Sequence, residues 1–261
     1  MAIPLDHLVI NAHFATDRAA QWFRALGFTL TPRGHHSLGS INHLMMFADR
    51  YLEIVGLPTD GGRVRQELLD SPQGIDGLVF ATGDAKATAR ALADAGFALQ
   101  PVQDFSREVV SGDQRGLARF TTVRLAAGSF PAGRVYFCQH HTPEWVWRPE
   151  WLGHENQVRS MTGLTVISDD VEACERQYQR LGDPGPDFAL RIVDYPAFAR
   201  QFDGLPLPAA GREMFAAVHF QGGDLARIAR GAGEQKLPLC WREGRLQVAL
   251  PELTTLLEFL P

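Results

Sequence analysis

The sequence predicts an α+β fold in which paired βαβββ units form curved mixed β-sheets. A strand, a helix and a terminating glycine follow one another four times, near His7, Gly77, Gly163 and Ala217. Repeats at this spacing indicate that the fold is assembled from copies of one unit. A unit with one helix and three or four mostly antiparallel strands leaves one apolar face open, so two units should pair. Paired curved sheets enclose a cleft, where ligand sites are expected.

The first unit has the clearest pattern. A strand around His7 is followed by apolar residues at helical spacing, and Gly27 ends the predicted helix. Strands are then predicted at residues 28–31 and, twice, within residues 42–58, where a short polar turn separates two apolar runs. Residues 32–39 lie between them and are predicted to form a loop rich in glycine and histidine.

The pattern returns three times, less completely toward the C-terminus. The second unit is predicted to have a hairpin loop at 106–116 and strands at 78–81, 97–102, 117–125 and 134–141. The third and fourth units are predicted from strands at 164–167, 188–193, 215–220, 239–242, 246–250 and 255–260. Aspartates that suit helix N-caps precede the three helices of these units, at Asp84, Asp170 and Asp224.

A tryptophan-rich connector separates the two pairs of units. Residues 142–157 hold three tryptophans and two prolines without a single period, which indicates an ordered, extended segment. We therefore expect a first pair of units over residues 1–150. A second, degenerate pair is expected over residues 151–261.

Composition excludes several classes of partner. The chain has 261 residues, 45% of them apolar, and a formal net charge of −5, which gives no basic field for nucleic acid or a membrane surface. No signal peptide or run long enough to span a bilayer is evident. The three cysteines are widely spaced, which favours a reducing compartment, and we expect a cytoplasmic protein. GxGxxG, P-loop, GxSxG and HExxH motifs are absent, which argues against nucleotide binding and common hydrolase mechanisms.

A carboxylate inside an apolar strand is the strongest candidate for a functional residue. Glu53 lies in the second apolar run of residues 42–58, and an unpaired buried charge is costly. It either faces a binding site, alongside His7 from the first strand, or pairs with a nearby arginine at a sheet edge. His7 also has an interpretation without a functional role, as a structural histidine that is hydrogen-bonded to the backbone. Ser40 and Asn42 are candidates to bind a substrate carbonyl or carboxylate, or to cap their loop.

Several segments resemble the vicinal oxygen chelate superfamily, which includes glyoxalases, bleomycin-resistance proteins and extradiol dioxygenases. LDHLVI, with His7, is similar to the first strand of that fold, and LEIVG, with Glu53, is similar to its fourth strand. GFTLTPRGHHSLGSINHLMMF and CQHHTPEWVWRPEWLGHENQ look typical of glyoxalase-like domain proteins. The resemblance covers residues 5–160 and implies the glyoxalase fold.

The resemblance also implies a metal site. His7 and Glu53 match the family's first-strand and fourth-strand ligands and are the candidate catalytic residues. Gly77 and Tyr136 stand where the second unit would supply its two ligands, and Tyr136 becomes a candidate for substrate binding. His140 lies four residues after Tyr136 on the same strand face and is the candidate third ligand. Two histidines and a carboxylate suit Zn, Fe or Mn, and Ni is a further candidate.

A rival site is predicted in the C-terminal half. TLLEFLP echoes YLEIVGLP, which makes Glu258 the counterpart of Glu53, and His219 lies two residues beyond the first-strand ligand position. Extradiol dioxygenases keep their metal in the C-terminal pair. Gly163 offers no ligand, however, so this site ranks second.

Two function classes follow. The first is a divalent-metal-dependent enzyme, of lyase, isomerase or dioxygenase type, acting on a small oxygen-rich substrate. The second is a metal-free cleft that sequesters a small molecule, as bleomycin-resistance proteins do, which the replacements at Gly77 and Tyr136 favour. A third, mostly structural reading is that the C-terminal pair only covers the first. A homodimer is compatible with all of them.

Overall fold

The computed structural model describes residues 2–261, which contain fourteen β-strands and six α-helices. The N-terminal strands are β1 (Leu5–Asn11), β2 (Gly34–His35), β3 (Ile41–Met46), β4 (Tyr51–Gly56), β5 (Gly74–Ala81), β6 (Gln103–Ser111), β7 (Gln114–Arg124) and β8 (Arg134–His140). The C-terminal strands are β9 (Val158–Ile167), β10 (Ala189–Val193), β11 (Met214–Gly222), β12 (Leu239–Arg242), β13 (Arg245–Leu250) and β14 (Thr255–Leu260). The helices are α1 (Thr16–Ala25), α2 (Gln66–Asp70), α3 (Ala85–Asp94), α4 (Val171–Gln179), α5 (Tyr195–Gln201) and α6 (Leu225–Glu234).

The first sheet is built from two βαβββ units placed side by side. Its strand order is β2-β3-β4-β1-β5-β8-β7-β6, with β1 parallel to β4, β5 parallel to β8, and β1 antiparallel to β5. The sheet curls until its two edges meet, where His36 bridges to Arg107 and the Ser37 amide donates to the Ser106 carbonyl at 2.9 Å. The concave face of this nearly closed sheet forms the first cleft.

The second sheet has six strands because the third unit is incomplete. Its order is β10-β9-β11-β14-β13-β12. β10 pairs parallel with β9, as β4 does with β1, so the third unit keeps its first and fourth strands and lacks the two between them. The chain that follows supplies α5, and Phe198 of this helix and Phe202 just after it pack with Ala217 and Leu256 on the sheet. Helix α5 and the residues just after it therefore cover the face of the second sheet that corresponds to the concave face of the first sheet.

One hydrophobic core joins the two sheets. Phe28 and Phe47 of the first unit contact Phe220 of β11, with ring centroids 5.4 and 6.1 Å apart, and Phe220 stacks on Phe259 of β14 at 5.1 Å. Helices α1 and α6 approach so closely that a Cβ atom at Gly231 would lie 1.9 Å from a backbone oxygen of α1. The first and fourth units are thus fixed against each other by apolar packing.

The predicted helix caps are confirmed. The side chains of Asp84, Asp170 and Asp224 each accept a hydrogen bond at 2.9 Å from the amide three residues later. A fourth aspartate, Asp194, caps α5 in the same way at 2.7 Å. These bonds satisfy amides that have no partner inside the helix.

Three local predictions are wrong. Residues 28–31 form no strand, because Phe28 turns into the core between the sheets, and the second strand comes later, at β2. Residues 97–102 form only an isolated bridge at Leu99. Residues 106–116 are not a loop but belong mostly to β6 and β7. Arg107 is buried and Glu108 is exposed, as in a strand with one buried face, but a polar arginine at the buried position hides this alternation in the sequence.

No helix within residues 2–261 is long and apolar enough to cross a membrane.

Candidate active site

A β-bulge in β1 brings two consecutive polar side chains to the first cleft. The pairing of β1 with β5 shifts between Leu5 and His7, so Asp6 is an extra residue in the ladder. Such a bulge re-aims side chains that would otherwise point to opposite faces of the strand. The Asp6 carboxylate can therefore accept a hydrogen bond from Nδ1 of the adjacent His7. Both residues are buried.

The Asp6 contact fixes the orientation of the His7 ring. With Nδ1 bonded to the carboxylate, Nε2 of His7 points into the cleft, 3.7 Å from Oε2 of Glu53 and 3.5 Å from the Tyr136 hydroxyl. The ring also stacks on Tyr51, its register partner on β4, with centroids 4.3 Å apart. The predicted pair His7 and Glu53 is thus brought together, with Tyr136 as its third neighbour.

Glu53 is held from behind by the adjacent strand. Nδ2 of Asn42, on β3, donates to Oε1 of Glu53 at 2.6 Å. Burial works against ionisation of Glu53, but the charges of His36 and His7 and the Asn42 hydrogen bond outweigh it and lower its pKa. The carboxylate is therefore ionised at neutral pH, which suits a cation ligand. A glutamate that shuttles protons needs a pKa raised toward neutrality, whereas the pKa of Glu53 is lowered.

The loop before β3 contributes a buried neutral histidine. Nδ1 of His36 lies 2.8 Å from the Ser40 hydroxyl, and Nε2 lies 3.3 Å from Nδ2 of Asn42. Burial lowers the pKa of His36 to about 4, although Glu53 opposes the shift. The structure thus places Asn42 against Glu53 in the cleft, while the Ser40 hydroxyl lies against His36.

The second unit supplies little to the center of the site. A Cβ atom at Gly77 would lie 2.8 Å from the side chain of Val9, so a longer residue there would have to displace β1. Tyr136 occupies the register position on β8 that Glu53 occupies on β4. Burial raises the pKa of its phenol well above the usual value, so it acts as a neutral hydrogen-bond donor.

His140 faces Asp6 instead of Glu53. Its Nε2 lies 3.0 Å from the Asp6 carboxylate, and its Nδ1 is buried without a partner. Burial opposes ionisation of Asp6, but the charges and hydrogen bonds of His140 and His7 lower its pKa to about 2. Among residues 2–261, the group of three potential metal ligands that converges within 4.8 Å is Asp6, Cys138 and His140. The predicted set of His7, Glu53 and His140 does not converge that closely.

The alternative trio of Asp6, Cys138 and His140 is a poorer cation site. Its carboxylate already accepts hydrogen bonds from two imidazoles. Burial raises the pKa of the Cys138 thiol well above its usual value, so a metal bound there would have to displace the thiol proton at a cost. The thiolate is the form that binds metals.

Asp6, Tyr51 and Arg107 also lie around the cleft and were not predicted to belong to the site. Asp6 had a usable signal, since a carboxylate next to a candidate ligand can orient it, but strand alternation argued against a shared face. Arg107 lies 54 positions from Glu53 in the printed sequence and had no local signal.

Comparison with known proteins decides the family. The sequence profile described as "Glyoxalase-like domain" matches residues 5–182. This chain belongs to the glyoxalase-like domain family. No curated protein sequence gives a significant match.

Solved structures share the fold of this glyoxalase-like protein at low sequence identity. A hypothetical protein from Staphylococcus aureus gives a TM-score of 0.70 at 12% identity, covering 99% of each chain. A mutant of 4-hydroxymandelate synthase from Streptomyces coelicolor gives 0.57 at 11%, covering 99% of this chain and 92% of the synthase. A xylose isomerase-like TIM barrel/4-hydroxyphenylpyruvate dioxygenase fusion protein gives 0.53 at 12%, covering 99% of this chain and 49% of the fusion. These similarities confirm the predicted vicinal oxygen chelate fold.

The second half of the glyoxalase-like chain holds a buried polar cluster at the rival position. Nδ1 of His219 donates to Oε2 of Glu258 at 2.8 Å, and Nε2 of His219 lies 2.7 Å from the Thr165 hydroxyl. Nε2 of Gln247 donates to the other Glu258 oxygen at 2.9 Å. The register places Ala217, not His219, opposite the counterpart of Tyr51, so the first-strand ligand position carries a methyl group. Both imidazole nitrogens of His219 are engaged.

Two arginines complete the charge balance of the second cluster. Nη1 of Arg191, on β10, lies 3.9 Å from the Glu258 carboxylate, and Nη1 of Arg245, on β13, lies 3.7 Å from it. Arg191 stands at the register position of Glu53 in the incomplete third unit. The cluster is therefore a network of hydrogen bonds and ion pairs around Glu258. Arginine side chains stand at positions where a metal site would need ligands.

The second cluster predicts that stability falls as the solution is acidified. Burial opposes ionisation of Glu258, but hydrogen bonds from His219 and Gln247 lower its pKa from 4.5 to about 2. Burial also lowers the pKa of His219 from 6.5. Both groups bind protons more readily in the unfolded chain, so the free energy of unfolding should decrease below pH 6.5 and again between 4.5 and 2.

Urea unfolding of the wild type and Glu258→Gln between about pH 7 and about pH 3 measures this effect. Above the ordinary pKa of His219, 6.5, we expect the stability advantage of the wild type to be constant. Below pH 4.5 the advantage should shrink as the pH falls, because only the wild type has a carboxyl group at this position to titrate. An advantage that does not change with pH would contradict the assignment.

Proposed function

We propose that the chain is a divalent-metal-dependent enzyme that acts on a small oxygen-rich substrate in the first cleft. The observation that carries this proposal is the position of Nε2 of His7, which faces Oε2 of Glu53 at 3.7 Å. A nitrogen lone pair and a carboxylate oxygen repel each other unless a proton or a cation lies between them. Two ligands of one ion, each bonded at about 2.0–2.2 Å, have a separation of this order.

The surrounding contacts favour a cation. Metal-binding histidines usually donate their other ring N–H to a carboxylate, which is the relation of His7 to Asp6. Glu53 is likewise oriented by Asn42. An imidazole and a carboxylate suit Zn, Fe, Mn or Ni. Two protein ligands leave positions open for substrate oxygens, and a divalent cation held there would polarise a carbonyl.

The remaining cleft residues would bind and orient the substrate. The Tyr136 hydroxyl is neutral and lies 3.5 Å from His7, where it can donate to a substrate oxygen. Phe105 and Phe120 line the cleft and exclude water from its other side. We propose that residues 1–150 hold the active site and that residues 151–261 stabilise it by packing on the opposite face of the first sheet. One structural neighbour is a fusion protein whose name includes a 4-hydroxyphenylpyruvate dioxygenase, which keeps the dioxygenase type among the candidates beside lyase and isomerase.

Asp6→Asn should weaken metal binding by about 10- to 100-fold, the usual cost of losing an outer partner of a ligand histidine. An amide can donate to His7 as well as accept from it, so the ring is no longer held with Nε2 free. Titration of metal-stripped protein with Mn²⁺ measures the change. Asp49→Asn, in the exposed turn before β4, is the matched control and should bind like the wild type.

A metal-free binding protein is the second candidate. The absence of ligands at Gly77 and Tyr136 favours it, as does the aromatic lining of the cleft. In this case a proton between His7 and Glu53 would replace the cation. The cleft would then hold a small aromatic or apolar molecule.

Metal titration of the purified chain separates the two candidates. After removal of bound metal with a chelator, Mn²⁺, Fe²⁺, Zn²⁺ and Ni²⁺ are added separately and heat or metal content is measured. The enzyme proposal requires at least one of them to bind with one equivalent per chain and to raise the unfolding temperature. If none binds above the background of an unrelated protein, the metal-dependent enzyme is ruled out.

A further inference from the structure

A buried arginine lies beside the proposed metal position. Arg107 is on β6, at the seam where the edges of the first sheet meet, and its side chain lines both the inner cleft and the adjoining outer pocket. Only 3% of its surface is exposed. Burial lowers the pKa of its guanidinium group, although the charge of Glu53 opposes this shift.

Arg107 differs from the other arginines of the cleft because it has no acidic partner in contact. Arg65 donates to Glu67, and Nη2 of Arg134 lies 2.7 Å from Asp76. Across the described part of the chain, no carboxylate lies within 4.0 Å of the Arg107 guanidinium, and its Nη2 is buried without a hydrogen-bond partner. A buried guanidinium charge without a partner is energetically costly unless a bound ligand balances the charge and accepts its hydrogen bonds.

Gly34 packs directly against the side chains of Arg107 and Asn42. A Cβ atom there would lie 3.3 Å from Nη1 of Arg107 and 2.3 Å from Oδ1 of Asn42, so only a glycine leaves room for both. Oδ1 of Asn42 is a second buried atom without a partner. The Asn42 side-chain amide cannot rotate to give Oδ1 another partner, because its Nδ2 donates to Glu53 and lies 3.3 Å from Nε2 of His36.

We propose that Arg107 is an anion subsite that binds a carboxylate of the substrate. A guanidinium group matches a carboxylate through two parallel hydrogen bonds. Oδ1 of Asn42 would accept a hydrogen bond from a hydroxyl on the same molecule. The inference rests on the proposed function in placing the rest of that molecule at His7 and Glu53, and it makes the substrate class a small hydroxylated carboxylate.

Binding of glycolate to the chelator-treated protein tests the subsite without any metal. Glycolate carries a carboxylate and a hydroxyl, and ethylene glycol is its neutral counterpart of similar size. We expect saturable glycolate binding by NMR titration and none by ethylene glycol. Arg107→Gln should weaken glycolate binding at least about tenfold, and Arg107→Lys should retain part of it, since the charge remains but the paired hydrogen bonds do not. Arg65→Gln removes a salt-bridged arginine from the same cleft and should bind glycolate like the wild type.

Three results would overturn the proposal. They are equal glycolate binding by the wild type and Arg107→Gln, equal binding of ethylene glycol, and tighter binding of inorganic phosphate than of glycolate. Arg107→Gln should bind Mn²⁺ at least as tightly as the wild type, since Arg107 is not a ligand and its positive charge repels the cation. Failure of metal binding therefore leaves the glycolate result standing, and failure of glycolate binding leaves the metal site standing.

Discussion

His7→Ala and Glu53→Ala should each reduce the affinity of the chain for Mn²⁺ by more than about 100-fold. Loss of an outer partner already costs about 10- to 100-fold, and these substitutions remove a ligand itself. In the proposed site, His7 and Glu53 each provide one of the two ligand atoms, which face each other at 3.7 Å, so neither variant would retain a pair. Titration calorimetry of metal-stripped protein measures both affinities.

Three substitutions serve as controls for the metal experiment. The first is His43→Gln. His43 is on the same strand as Asn42, but its ring lies outside the cleft, with Nδ1 2.8 Å from the Thr31 carbonyl oxygen. His140→Gln and Cys138→Ser remove members of the alternative trio around Asp6. All three should bind Mn²⁺ within a few-fold of the wild type. If Cys138→Ser or His140→Gln abolished binding while His7→Ala did not, the metal would belong to the trio instead.

Glu258→Ala should lower the free energy of unfolding by about 2–6 kcal/mol, because it leaves two buried hydrogen-bond donors without their acceptor, at about 1–3 kcal/mol each. The substitution leaves His219, which is 0% exposed, without its hydrogen-bond acceptor. It also leaves Gln247 and the two arginines above the carboxylate without their shared partner. Urea unfolding at neutral pH measures the loss.

A surface glutamate provides the comparison for Glu258. Glu252 pairs with Arg18 at 2.7 Å, and both side chains are about half exposed. Glu252→Ala should change stability by less than about 1 kcal/mol, because water screens the pair. If Glu258→Ala cost no more than Glu252→Ala, the second cluster would not be the stabilising network described above.

The fold was predictable because each unit repeats the same local signals. Strand periodicity recurs in each unit, aspartates such as Asp84 cap three of the four repeated helices, and glycines such as Gly27 end three of them; these signals together specify the architecture. Glu53 was also predictable, since a charge inside an apolar strand demands a partner. These are local properties, which the order of residues alone carries.

What escaped prediction depends on contacts between distant segments. The bulge at Asp6 is visible only in the pairing of β1 with β5, and without it Asp6 would be expected on the far face of the strand. Helix α5 has seven residues, too few for a clear apolar stripe, and it is fixed by packing of Phe198 on the second sheet. Arg107 reaches the cleft because β6 meets the loop after β2, which is a consequence of sheet curvature.

The meeting of β2 and β6 also limits how copies of this protein can associate. An open sheet edge offers unpaired backbone groups to another chain, and joining the two edges of the first sheet removes that template there. The second sheet stays open at β10 and β12, and β12 carries Trp241 with 52% of its surface exposed. Strand-to-strand assembly is therefore confined to the half of the molecule that lacks the candidate active site.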